Sequence, residues 1–421
     1  MPCTNCDQGS TSKPFGSVPQ YTMNIMLQNH TFYPILGGIE NYLYHVSKVF
    51  LKMGHKPMIL CEKHDHALPD FEKYHGIELI RHPYYNIPKR MLLMKPKIVS
   101  DHIKRFVLKH VQNVDLIISR YPHYCFATCS LDLDIPTMYI PATVHWRYLS
   151  KSSENSGLKP KFFNFVWKPI LDHIESKCII MSDKVITLSR HISSCLAQYY
   201  AFAPETFVVN PPGVDLDRFG EYDDSMEIRR EFNIPPNRII VLYVGRLSVE
   251  KNVGKLIKDF KIFGKNDVQL LIVGYGPERL RLEQLTNDLN MIEKITFVGP
   301  RKDVERFYKA ADIFVLPSKY EGFGQVILEA MAAGLPCIAY KRVLPEYEVA
   351  SEEIIEDGIT GFCVDPSNED EFQEKLRYLI DHPDIRQEMG KIGRKVCATK
   401  FTWEAHVRGL LNLMNSCHSQ S

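Results

Sequence analysis

An α/β architecture of two doubly wound parallel sheets, in two successive domains with a cleft between them, is what this 421-residue sequence predicts. Three observations predict it. Short β-branched runs alternate with longer amphipathic ones from Tyr21 onward; the alternation breaks once, at NPPGVD (Asn210 to Asp215), and then starts afresh. Glycines and charged residues gather in the loops after the strands, where such sheets hold ligands.

In the first half the strands are TMNIML, KPMILC, IELIRH, VDLIISR, IPTMYIPA, KVITLS and TFVVN. Helices are expected at about Ile39 to Met53, Val99 to Val111 and Lys161 to Met181. The second half reads IIVLYV, a helix from Val253, VQLLIV, a helix from Pro277, ITFVG, a helix from Lys302, DIFVLP, a helix near Gln325, and PCIAY. Continuous apolar strands separated by helices belong to parallel sheets covered on both faces. NPPGVD suits neither a helix interior nor an internal strand. The expected division is a tail over 1–20, a first domain over 21–211, a second over 212–400, and a terminal segment over 401–421.

With 45% hydrophobic residues each domain can bury a core. Lys and Arg number 51 against 50 Asp and Glu, so no global field draws the chain to nucleic acid. The longest apolar runs fall far short of the roughly 20 residues a bilayer span needs. The polar start MPCTNCDQGSTSKPFGSVPQ lacks the apolar core of a signal peptide, and many of the eleven cysteines, such as Cys61, Cys178 and Cys337, sit in apolar strings, so a cytoplasmic protein with reduced thiols is expected. Cys3 and Cys6 spell CxxC without a second pair, and His64 and His66 read as a solvated loop.

Four loops carry the candidate chemistry. In ILGGIEN, Gly37 and Gly38 let backbone approach a ligand at a helix start, although a tight turn explains one glycine equally well. In GRLSVEKN, Arg246 and Lys251 suit a diphosphate, Arg in bidentate fashion and Lys as a point charge. In EGFGQ, Glu321 precedes amides at Phe323, Gly324 and Gln325 that a helix dipole presents to an anion. In ATVHWRY, His145 lies just past a strand. Glu329 poses the sharpest question: Ile327, Leu328, Ala330 and Met331 draw it inward, and a buried carboxylate needs donors. A structural ion pair is one answer and a ribose diol the other. The 1.5 Å rise puts Glu329 roughly 6 to 8 Å from the first-turn amides, about the span from diphosphate to ribose. Together these groups read as a site for a nucleoside diphosphate.

The ordered pieces GGIE, TVH, PPGVD, VGRLSVEKN, VGYGPER, ADIFVLPSKYEGFGQVILEAMAAGLPCIA, EDGITGFCVDP and FTWE resemble the retaining glycosyltransferases of family four, over nearly the whole chain from Met23. The resemblance implies the GT-B fold and transfer of a hexose or N-acetylhexosamine from a nucleotide sugar to a hydroxyl acceptor. It implies that Arg246 and Lys251 bind the donor diphosphate in place of a metal. It implies that Glu329 holds the ribose, and that Glu321 with the amides of Phe323, Gly324 and Gln325 contacts the sugar. By the same resemblance His145 lies near the reacting carbon, Arg301 falls where the nucleobase is held, and a helix from Trp403 returns to the first domain. Two positions depart from the pattern: Asn252 stands where Gly is common, and Trp146 where an acid is common.

No cofactor or essential metal is expected. Asp132-Leu-Asp134 spells a metal-binding DxD, but it precedes a strand rather than following one. A sugar-nucleotide epimerase, or a non-catalytic sugar-nucleotide-binding subunit, are the alternatives on this architecture. UDP is favoured over GDP as the donor base. The acceptor, as glycan, lipid-linked molecule or small molecule, stays open, as does the oligomeric state. HPYYNIPKRMLLMKPK (His82 to Lys97) reads either as a loop and helix packed on the domain or as a peripheral membrane patch.

Overall fold

The fold is described from a computed structural model covering residues 21–35, 37–83, 95–142, 168–220, 225–263, 267–368 and 370–418. The first domain contains strands β1 (Asn24–Gln28), β2 (Lys56–Glu62), β3 (Phe71–Tyr74), β4 (Ile77–His82), β5 (Leu116–Ser119), β6 (Thr137–Tyr139), β7 (Lys184–Thr187) and β8 (Phe207–Val209). Its helices are α1 (Gly38–Lys52), α2 (Lys95–His110), α3 (Pro122–Cys129), α4 (Lys168–Met181) and α5 (Arg190–Tyr200). The sheet runs β3-β4-β2-β1-β5-β6-β7-β8, all parallel except the antiparallel edge pair β3 and β4. Successive residues of β1 face opposite sides: Ile25 and Leu27 enter one core with Leu43 and Val46 of α1, and Met26 enters another with Ile103 and Val107 of α2.

The second domain holds α6 (Ser225–Glu231), β9 (Ile239–Val244), α7 (Val253–Phe260), β10 (Val268–Val273), α8 (Arg279–Asp288), β11 (Ile295–Gly299), α9 (Val304–Ala310) and β12 (Ile313–Leu316). There follow α10 (Gln325–Ala332), β13 (Cys337–Tyr340), β14 (Gly361–Val364), α11 (Glu371–Asp381) and α12 (Pro383–Lys400). All six strands are parallel in the order β11-β10-β9-β12-β13-β14, and every residue of β10 is buried. The chain leaves β9 toward one edge and returns through β12 toward the other, so the strand order reverses between them. The same reversal falls between β1 and β5 in the first sheet. Crevices at such switch points hold ligands at the carboxyl ends of the strands.

A last helix, α13 (Trp403–His418), packs in the core of the first domain through Trp403, Val407, Leu410, Leu411 and Met414. Trp403 stacks on His45 of α1, and the Tyr42 hydroxyl meets His406 Nε2 at 2.7 Å. His406 Nδ1 lies 2.9 Å from the Pro211 carbonyl and Asn210 Nδ2 donates to the His406 carbonyl at 3.0 Å, so α13 is tied to the domain junction by two polar links. Among the described residues no helix is long and apolar enough to cross a membrane.

Candidate active site

The two switch points open on a single cavity of about 460 Å³ between the domains. From the first domain it is lined by Gly38, Ile39 and Tyr42 at the start of α1, Arg120 and Tyr121 after β5, and Tyr139 and Ala142 at the end of β6. From the second it is lined by Arg246, Glu250 and Lys251 after β9, and by Tyr320 through Gln325 after β12. The domains touch around it: Ser189 Oγ donates to the Gly322 carbonyl at 2.7 Å, and the Glu353 carboxylate accepts from the amides of Arg190 and His191 at 2.7 Å each.

The basic loop is held by its own backbone. Leu247 donates to the Tyr275 carbonyl at 3.1 Å and Tyr243 Oη to the Arg246 carbonyl at 3.0 Å, which fixes Arg246 at the cavity wall. Lys251 Nζ is 2.5 Å from Glu321 Oε2, and the two side chains are each only 19% exposed. That pairing holds the ammonium on the cavity wall, where an arriving anion can share it. Asn252, which stands where the resembling family has Gly, adopts φ +56° and starts α7. Asn is among the few side chains that accept this left-handed backbone, so the departure keeps the turn.

Gly324 begins α10 at φ +101°, a conformation that side chains rarely adopt, and Gln325 Nε2 donates to the Gly213 carbonyl at 2.8 Å. At Gly37 an added Cβ would stand 2.6 Å from Glu40 Oε2, whereas one at Gly38 would meet nothing within 4 Å. Gly38 therefore leaves room beside the uncapped first turn of α1 rather than avoiding a clash within the protein.

Glu329 lies next door. With Gly38, Tyr42, Gln325, Asp215 and Arg218 it lines a smaller chamber adjoining the cavity. Tyr308 Oη donates to Glu329 Oε2 at 2.9 Å. Loss of solvent pushes its carboxyl up to about 7, against the lowering pull of the Tyr308 hydrogen bond and the Arg218 charge. Arg218 is ion-paired with Glu305 at 2.7 Å. Glu329 is therefore an acid with one side-chain donor among the described residues, facing a chamber of about 20 Å³.

Other candidates lie apart. Arg301 pairs with Glu231 and Asp303 at 2.8 Å each, stands over Phe307, and does not line the cavity. Asp132 and Asp134 are exposed before β6, at the opposite end of the strand from the cavity. His64 and His66 are exposed in the loop after β2. The one His, Cys, Asp or Glu group with cation-holding spacing among the described residues is His191, Cys195 and Glu348, which shares nothing with the DxD. His145, Trp146, Cys3 and Cys6 lie outside the described residues, as does 84–94 of the basic and aromatic stretch; Ala142, three residues before His145, lines the cavity. Tyr308 and Arg120 went unnoticed in the sequence. Tyr308 leaves no local signal, but Arg120 directly follows a strand and obeys the rule that picked out Arg246.

The profile described as Glycosyltransferase Family 4 matches residues 36–218, and that of Glycosyl transferases group 1 matches 224–396. The sulfoquinovosyl transferase SQD2 of Arabidopsis thaliana is 31% identical over 392 residues, 90% of this chain and 70% of that protein. The chain belongs to glycosyltransferase family 4. The D-inositol 3-phosphate glycosyltransferase of Segniliparus rotundus is 30% identical over 247 residues, so that match spans 56% of this enzyme and about half, 53%, of the relative. Among solved structures, sucrose-phosphate synthase of Thermosynechococcus elongatus superposes with a TM-score of 0.78 at 24% identity, covering 95% of this chain and 100% of that one. Anabaena HepE in complex with UDP-glucose gives 0.70 at 19% identity over 95% and 100%. These likenesses place the family 4 enzyme in the GT-B fold, with the described cavity as its interdomain cleft.

Proposed function

We propose that the enzyme moves a hexose or N-acetylhexosamine from a nucleoside-diphosphate sugar to an acceptor hydroxyl, with retention at the anomeric carbon and without a metal. The observation that carries this reading is the convergence of Arg246, Lys251 and Glu321 on one wall of a cavity whose other wall is the uncapped start of α1. As the anomeric bond breaks, negative charge grows on the leaving diphosphate. Cations and amide dipoles already aimed there lower the barrier more than they favour the ground state. Arg246 and Lys251 take the role a divalent ion plays elsewhere. Glu329, raised to about 7 and accepting from the Tyr308 hydroxyl, gains further hydrogen bonds from a ribose diol. Glu321, close to Lys251, reaches the sugar hydroxyls. The acceptor hydroxyl attacks on the face the diphosphate leaves and passes its proton to a phosphate oxygen, so no enzyme nucleophile is used.

A uridine nucleotide is the preferred donor base, supported by the UDP-glucose held by the HepE structure. A thermal-shift panel of UDP, GDP and their sugar conjugates in EDTA tests it. A ligand at 100 times its Kd adds about 2.7 kcal/mol of stability. The expected result is a clear shift with a UDP-sugar. Transfer that inverts the anomeric configuration, read by NMR of the product, contradicts the mechanism.

A further inference from the structure

One buried charge in the cleft is left unused by the donor. Arg120 follows β5, is 4% exposed and lines the main cavity. Its guanidinium carbon stands 4.3 Å from the Tyr42 ring centroid, and among the described residues its Nε and Nη1 have no hydrogen-bond partner. No carboxylate among the described residues pairs with it. Glu40 acts on it only at longer range and accepts a hydrogen bond from Thr31, while the hydroxyls of Tyr42 and Tyr139 engage His406 and Glu175. Burying a guanidinium without a counter-ion is costly, and a neutral side chain of similar length would serve the free protein better. Its planar fork of N–H groups matches a carboxylate, phosphate or sulfonate.

We infer that Arg120 is the anion-binding residue of the acceptor subsite, so that the acceptor carries a carboxylate, phosphate or sulfonate near its reacting hydroxyl. Arg120 belongs to the first domain and faces the cavity opposite the wall carrying Arg246 and Lys251, which supply the cations for the diphosphate. The inference rests on the proposed division of the cleft into a donor wall and an acceptor wall, and its test keeps the two separable.

Full-length protein is saturated with UDP and titrated with inorganic phosphate while its melting temperature is followed. Phosphate raises the melting temperature of the wild type, raises it less in Arg120→Lys, and leaves Arg120→Gln unmoved. In the absence of ligand Arg120→Gln melts at or above the wild-type temperature, because an uncompensated charge is gone; a purely structural arginine gives a fall instead. UDP affinity stays within about twofold of wild type in Arg120→Gln while Lys251→Ala loses it. The inference is overturned by an equal phosphate response in Arg120→Gln, by no response in the wild type, or by UDP affinity falling in Arg120→Gln as it does in Lys251→Ala. UDP-glucuronate and UDP-glucose distinguish the source of the anion: equal affinities keep it on the acceptor, and a tenfold preference for the glucuronate that Arg120→Gln abolishes moves it to the donor sugar. Undiminished UDP binding by Lys251→Ala would sink the donor assignment alone.

Discussion

Protonation of Glu329 gives the ribose assignment a quantitative consequence. Its carboxyl stands at about 7 instead of 4.5 because burial outweighs the Tyr308 hydrogen bond. The folded free enzyme therefore holds a proton there that the unfolded chain gives up above about pH 4.5, and stability falls as pH rises from about 4.5 to about 7. The full difference corresponds to on the order of 3 kcal/mol. A ribose diol donates to the ionised form, so binding drags the carboxyl back toward its ordinary range and releases the proton. At pH 5.5 only about one molecule in 30 has Glu329 ionised in the free enzyme, and affinity for a nucleotide sugar is expected to be about 30-fold weaker than at pH 8. A nucleotide sugar is the right ligand, since its doubly esterified diphosphate does not titrate in this window. Calorimetry in buffers of different ionisation enthalpy measures both affinity and the proton released. Glu329→Gln should flatten the pH profile and remove the release. A wild-type affinity that is level between pH 5.5 and 8, or a slope that survives in Glu329→Gln, refutes the reasoning.

Other consequences follow from neighbouring groups. Tyr308→Phe removes the hydrogen bond that lowers Glu329 and should move the midpoint of that pH profile upward, read in the same titrations. Gly324→Ala forces a side chain onto φ +101° and should lower unfolding stability by about 1–2 kcal/mol with a larger loss in kcat/KM, checked by denaturant melts and initial rates. Trp403→Ala opens a hole among α1 and α13, where Trp403 is 6% exposed, and should cost about 3–5 kcal/mol; an unchanged melt would show that α13 does not brace the first domain.

Legibility in the sequence followed burial. Strands β9, β10 and β11 begin and end where IIVLYV, VQLLIV and ITFVG do, because each is a mostly apolar run; β9 and β10 lie inside the sheet, and β11, though at its edge, keeps apolar residues at three of its five positions. The edge strand Phe71–Tyr74 passed unread, since its exposed and half-buried residues carry no such signature. The helices Pro122–Cys129 and Arg190–Tyr200 were also missed; the first is short, and its apolar residues lie nearly all round. The inward pull on Glu329 was visible from its helix neighbours, but its partner Tyr308 comes from α9, a contact that only the packed helices create. Arg301 looked available because the loop's sequence says nothing of Glu231, which reaches it from α6. The gathering of Gly38, Arg246, Lys251 and Glu321 was expected from the rule that ligands sit at strand carboxyl ends, and the fold brings those four onto one cavity.

The most direct test of the central claim, that protein cations grip the donor diphosphate unaided by metal, is the affinity for UDP in excess EDTA of wild type, Arg246→Ala and Lys251→Ala. The account predicts full wild-type binding and a loss of about 2–5 kcal/mol in each variant, roughly 30-fold or more. Binding that vanishes in EDTA and returns with manganese, or variants that bind as the wild type does, would contradict it.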